Sequence, residues 1–225
     1  ALDPIKYEVA SGTNTIFYKI DNAAIWSLYT QPITLTEGIH AIYYQSMDNV
    51  LNREETKSLT VYVDNTAPVT GANIGQPQDN SYQFSVINSN TPVTLTATDP
   101  IIKEVSSGVK ETRYSISGPA GVPQTIYNLP IKIAGTDGDY TLAYYSLDNV
   151  TNTESAKTLT ITLDNTPPAV ALLSPSTASI GADKVVSGTI TITGSVSDVH
   201  FKWYQLTYAQ YGKNQWTEIN PKTYN

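Results

Sequence analysis

The stretch SLDNVTNTESAKTLTITLDNTPP, residues 146–168, decides the fold. Within it Leu159, Ile161 and Leu163 alternate with Thr158, Thr160 and Thr162. That period of two puts apolar side chains on one face of a strand and hydroxyls on the other. An Asp-Asn pair stands at each end, Asp148-Asn149 before the strand and Asp164-Asn165 after it, and Pro167-Pro168 ends the ladder. Residues 46–68, SMDNVLNREETKSLTVYVDNTAP, carry nearly the same text, with Leu59, Val61 and Val63 on the apolar side. Only 15% of the chain is charged, yet acid-amide clusters sit at both tips of one strand, twice over.

The duplication extends upstream. DPIKYEVASGTNTIFYKI (3–20) lies on DPIIKEVSSGVKETRYSI (99–116), and LYTQPITL (28–35) lies on IYNLPIKI (126–133). A third copy begins after Pro168: SGTITITGSVSD (187–198) parallels NTPVTLTATD (90–99), and YQLTY (204–208) parallels YSIS (114–117). One domain type is therefore used repeatedly. The expected division is a complete unit at 67–166, a unit at 1–66 lacking its first strands, and a unit at 167–225 lacking its last strands.

Short alternating strands separated by frequent turn signals, with no sustained helical period, predict an antiparallel β-sandwich. In TPVTLTATD, Val93, Leu95 and Ala97 take the inward positions. GDYTLAYY places Tyr140 after a Gly-Asp turn with Leu142 and Tyr144 on its face, the pattern of the tyrosine corner of immunoglobulin-like folds. His40 takes that position in the first unit and reads as a packed residue rather than a ligand. The expected fold is all-β: tandem immunoglobulin-like antiparallel sandwiches joined end to end.

Composition narrows the function. The 225 residues, 40% hydrophobic, suffice for two or more small cores. Cysteine is absent and His40 and His200 are the only histidines, which excludes disulfides, thiolate zinc sites and cysteine nucleophiles. A net charge of −7 and a pI near 4.7 argue against a nucleic-acid surface and suit divalent cations and extracellular solubility. No apolar run approaches the roughly 20 residues needed to span a bilayer. No charged-then-apolar stretch opens the sequence either, so any secretion signal is expected to have been removed or to lie outside it. The two histidines fall in different units, without a glycine-flanked serine elbow. The acids recur at equivalent places, which unique active sites seldom do, so no enzyme is expected.

The segments D…SGV…YSI (99–116), YYSLDN…N (144–152) and VDNTAPV (63–69) resemble the tandem bacterial immunoglobulin-like repeats of large secreted and cell-surface proteins. The resemblance implies stalk, adhesion or accessory-module roles. It also implies a geometry in which each linker arrives at the end of the next sandwich that carries its BC and FG loops. Asp64 and Asn65 would then meet Asp99 and Glu104 of the BC loop and Asp148, Asn149 and Asn152 of the FG loop. By the same logic Asp164 and Asn165 would approach Asp198, and Asp3 would approach Asp48, Asn49 and Asn52. Calcium needs such a set of hard oxygens and no His or Cys. VDNTAP also looks like the Asp-Asn-Ala-Pro linker of cadherins, with a threonine inserted. The competing reading is turn chemistry alone, in which the short Asp and Asn side chains bond their own backbone.

Two further expectations concern surfaces. Trp26, Tyr29, Trp203, Tyr211 and Trp216 could stack on surface glycans, but are expected instead to fill the sandwiches and line contacts between units. The partial terminal units would expose apolar faces and open strand edges. Cover would come from neighbouring copies of the chain, giving a filament, or from adjacent Ig-like domains of a longer protein.

Overall fold

The computed structural model describes residues 4–5, 10–174 and 188–224, and its regular elements there are strands. No helix among them is long and apolar enough to cross a membrane. The first unit contributes β1 (Thr13–Ile20), β2 (Ser27–Leu28), β3 (Gly38–Asp48) and β4 (Lys57–Val63), in a single sheet ordered β2-β1-β3-β4. The middle unit contributes β5 (Val69–Ile74), β6 (Gln78–Asp79), β7 (Ser85–Ile87), β8 (Pro92–Thr98) and β9 (Val109–Ser117). It continues with β10 (Val122–Ile126), β11 (Ile131–Lys132), β12 (Gly138–Asp148) and β13 (Lys157–Leu163). Its two sheets are β10-β9-β12-β13-β7-β6 and β11-β8-β5. Only the β7–β13 pair is parallel, with Val86 opposite Thr162.

The alternation seen in the sequence is what closes these two sheets on each other. Val93 and Leu95 of β8, with Ile131 of β11, meet Ile116 of β9, Tyr140, Leu142 and Tyr144 of β12, and Ile161 and Leu163 of β13 in one buried cluster. Burying such side chains at roughly 25 cal/mol per Å² is the main force holding the layers together. Along β12 the buried face continues past the apolar residues to Ser146 and Asp148, both fully buried. The inward stripe therefore starts apolar and ends polar, at the rim where the preceding linker arrives.

The first sheet repeats the register of the middle unit: Tyr18 pairs with Tyr44 as Tyr114 pairs with Tyr144, and Gly38 with Val63 as Gly138 with Leu163. Its packing differs. Tyr44 is 38% exposed and Leu59 54%, since no second sheet lies over this face among the described residues. The third segment forms two separate pairs, β14 (Ala169–Ser174) with β15 (Thr193–Ser197) and β16 (Trp203–Tyr208) with β17 (Thr217–Tyr224).

The tyrosine corner is present and has a substitute. Tyr140 is buried and its hydroxyl donates to the Thr136 carbonyl at 2.7 Å. In the first unit His40 Nε2 donates to the Thr36 carbonyl at 2.9 Å, so the imidazole makes the equivalent bond. Its Nδ1 lies 2.9 Å from Asp21 Oδ2. His40 is a packed residue, as the sequence indicated.

The aromatic residues divide in a way composition did not show. Tyr29 stacks edge-on against Tyr18, and Lys19 lies over Trp26, so both are engaged within the first sheet. Tyr211 and Trp216 instead face outward, Trp216 at 69% exposure, and fill no core.

Candidate functional site

The linker after β4 is held by an acid from the loop before β3. Glu37 Oε2 accepts the Asn65 N–H at 2.7 Å and the Thr66 hydroxyl at 3.1 Å. Asp137 does the same for the next linker, accepting Asn165 N–H at 2.9 Å and the Thr166 hydroxyl at 2.6 Å. Those bonds, the Thr166 hydroxyl first, hold the Asp137 carboxyl below its usual value. The threonine that separates this linker from the cadherin pattern thus acts locally, tying the linker to the unit just completed. Sequence reading missed Glu37 and Asp137, although TEGIH (36–40) and TDGDY (136–140) repeat at matching places.

Fixed in this way, the first linker delivers Asp64 to the rim of the middle unit. Asp64, Asp99 and Asp148 each place a carboxylate oxygen so that the three lie within 4.8 Å of one another. Asp64 is 8% exposed and Asp148 fully buried. Asp64 Oδ1 accepts from Thr66 N–H at 3.1 Å and Oδ2 from Ser107 N–H at 2.6 Å. Burial pushes the Asp64 carboxyl up, but the hydrogen bonds from Ser107 and Thr66 outweigh it and leave it below its ordinary value. Asp99 Oδ2 accepts from the Ser106 hydroxyl and from Gly108 N–H, both at 2.7 Å. Asp99 Oδ1 is buried and has no partner.

Asp148 also performs the turn chemistry that was the competing reading. Its Oδ1 accepts from Val150 N–H at 3.0 Å and Asn152 N–H at 2.8 Å, and its Oδ2 from the Asn152 amide at 2.7 Å. The same Asn152 amide donates to the Asp64 carbonyl at 3.0 Å, bracing the linker against the turn. The Asn149 amide ties the FG turn to the BC loop through Ser107 O and Gly108 O, at 2.7 and 3.1 Å. Both asparagines thus act through their N–H donors.

The remaining predicted residues are distributed as follows. Asn65 is exposed at the linker, bonded through its main chain to Glu37. Glu104 is exposed and lies outside the carboxylate group. The Asn165 side chain turns back to its own unit, accepting from Ser89 N–H at 2.9 Å. Asp164 and Asp198 do come together, in company with His200. Asp48 forms the same turn as Asp148, accepting from the Asn52 amide at 2.8 Å, while the Asn49 amide bonds Ser11 O at 2.7 Å. Asp3 lies outside the described residues.

Beneath the acidic rim lies a second feature that the sequence did not announce. Glu154 accepts from Ser146 N–H at 2.9 Å and from both the N–H and hydroxyl of Thr70, and it pairs with Lys157 Nζ at 2.9 Å. The Lys157 ammonium also reaches the Thr70 carbonyl at 2.6 Å. Strand β5, which follows the linker directly, is stapled by these bonds to the end of β12. The network fixes where Asp64 can lie.

A sandwich with a parallel β7–β13 pair, a tyrosine corner and a linker entering at the BC and FG loops is Ig-like. Residues 127–209 match the bacterial Ig-like domain (group 3) family. The matched segment runs from the end of β10 through β16, across Pro167-Pro168. No curated protein matches the chain.

Proposed function

We propose that this chain is a non-catalytic structural segment of an extracellular or cell-surface protein, in which Ig-like units follow one another as a stalk or filament. The joint between its first two units is set by a divalent cation, calcium by ligand chemistry. The observation that carries the reading is the meeting of Asp64 from the linker with Asp99 and Asp148 from the next unit, three acids of which one retains a buried, unpartnered oxygen. Like charges gathered out of water repel, and no ion pair to any of the three is formed among the described residues. A hard cation would satisfy the free oxygen and offset the repulsion. The donors already on these carboxylates leave further lone pairs for coordination.

Melting the protein in calcium and in chelator tests this. Calcium at a hundredfold excess over its dissociation constant adds about 2.7 kcal/mol of stability. Asp148→Ala should abolish most of the gain, and equal melting temperatures with and without calcium would end the proposal.

A second reading is favoured by the outward aromatics of the third segment. Tyr211 and Trp216 are both exposed in the loop between β16 and β17, as a sugar-stacking surface requires. Glycan binding lost with Trp216→Ala would make this a binding module rather than a spacer.

A further inference from the structure

The two joints share one frame. Asp64 and Asp164 each close the same short turn, accepting from Thr66 N–H at 3.1 Å and Thr166 N–H at 3.0 Å. Asp99 directly follows β8 as Asp198 directly follows β15. The third member differs. At the first joint it is the carboxylate of Asp148; at the second it is the imidazole of His200.

We infer that the acids of the two joints are satisfied in different ways: the first takes a divalent cation among Asp64, Asp99 and Asp148, whereas at the second His200 occupies the cation's place between Asp164 and Asp198 and hydrogen-bonds both. This rests on the cation reading proposed above and assigns it to one joint only.

Four observations support it. His200 Nδ1 lies 2.6 Å from Asp164 Oδ2, and His200 N–H donates to Asp198 Oδ1 at 2.7 Å, so one residue engages both acids. The ring is oriented edge-on against Tyr82, with centroids 5.0 Å apart. Lys202 reaches Asp79 at 3.3 Å and brings a positive charge to the same rim. Finally, Ile101 follows Asp99 at the spacing at which His200 follows Asp198, and it is exposed and apolar, so the first joint has no such donor.

The chemistry of the two donor sets leads to the same division. Calcium takes six to eight oxygens and imidazole is a poor substitute. At the first joint a buried carboxylate oxygen lacks a partner; neither Asp164 nor Asp198 has such an atom.

Calorimetric titration of the whole chain with calcium chloride, after chelation and dialysis, tests the inference by counting sites. Asp99→Asn should remove one site, Asp198→Asn should leave the number unchanged, and His200→Asp should add one by creating a third carboxylate at the second joint. Loss of a site in Asp198→Asn would overturn the inference while sparing the cation reading. So would His200→Asp that keeps the wild-type strand signal in circular dichroism yet gains no site. An Asp99→Asn protein that binds as many ions as wild type would refute the cation reading itself.

Discussion

Replacing Thr70 by valine isolates what holds the linker in place. Thr70 is 2% exposed, and its hydroxyl lies 2.6 Å from Ser146 Oγ while donating to the Glu154 carboxylate. Valine keeps the shape and puts a methyl group where the hydroxyl stood. Ser146 Oγ retains Thr112 Oγ1 at 2.7 Å, and Glu154 retains Ser146 N–H and Lys157. The loss is therefore two hydrogen bonds: one to a charged acceptor, worth about 1.5–3 kcal/mol, and a weaker one between hydroxyls that Ser146 offsets through Thr112, with no buried group wholly stranded. We expect about 2 kcal/mol, read as a lower urea midpoint at unchanged slope. For a domain of this size each kcal/mol lowers the melting temperature by about 4–8 °C. Thr70→Ser keeps the hydroxyl and should lose less than half as much. The Glu154 carboxyl lies below its usual value: burial raises it, but the bonds from Thr70 and Lys157 prevail. Stability from such a group is present above its unfolded pKa and is lost as pH falls through the lower folded value. The gap between wild type and Thr70→Val should accordingly shrink in acid below about pH 4. A valine variant as stable as the serine one, or a gap that widens in acid, would refute this account of the staple.

Two other outcomes follow from the same geometry. Asp99→Asn should invert its effect with calcium: in chelator it removes a like charge from within 4.8 Å of two others and should melt higher than wild type. At an effective dielectric near 20, fixed charges at that distance repel by about 3.5 kcal/mol per pair, a ceiling from which solvent and proton uptake leave on the order of 1–2 kcal/mol. In calcium the variant should melt lower, since its gain from the ion is lost. His40 supplies a pH test for the first unit: its hydrogen bonds to Asp21 and then Thr36 raise its pKa above the usual 6.5. That contribution is complete below the unfolded value and disappears as pH rises through the folded one. The melting temperature of the first sheet should fall from pH 6 to 9, and His40→Tyr, which restores the corner seen at Tyr140, should flatten the profile.

The alternation of Leu159, Ile161 and Leu163 with threonines, and its echo at Leu59, Val61 and Val63, determined the strands, the repeat and the Ig-like sandwich. Period-two burial is a local property of the chain, and local patterns can be read without coordinates. The meeting of Asp64 with Asp99 and Asp148 also followed from topology, because a linker must arrive where the next sandwich begins. Other features were decided only in three dimensions. Whether Asn149 and Asn152 present an oxygen or an N–H depends on which backbone groups lie opposite, and that is set by the approach of two loops far apart in sequence. Glu154 looks like one more surface acid in TNTESAK, and it is buried only because β5 folds back over the end of β12. His200 reads as an isolated residue, and it gains its role from a neighbour, Asp164, thirty-six positions earlier in the chain. Local pattern dictates which face each side chain takes along its own strand; what stands across from that face is settled by packing between distant segments.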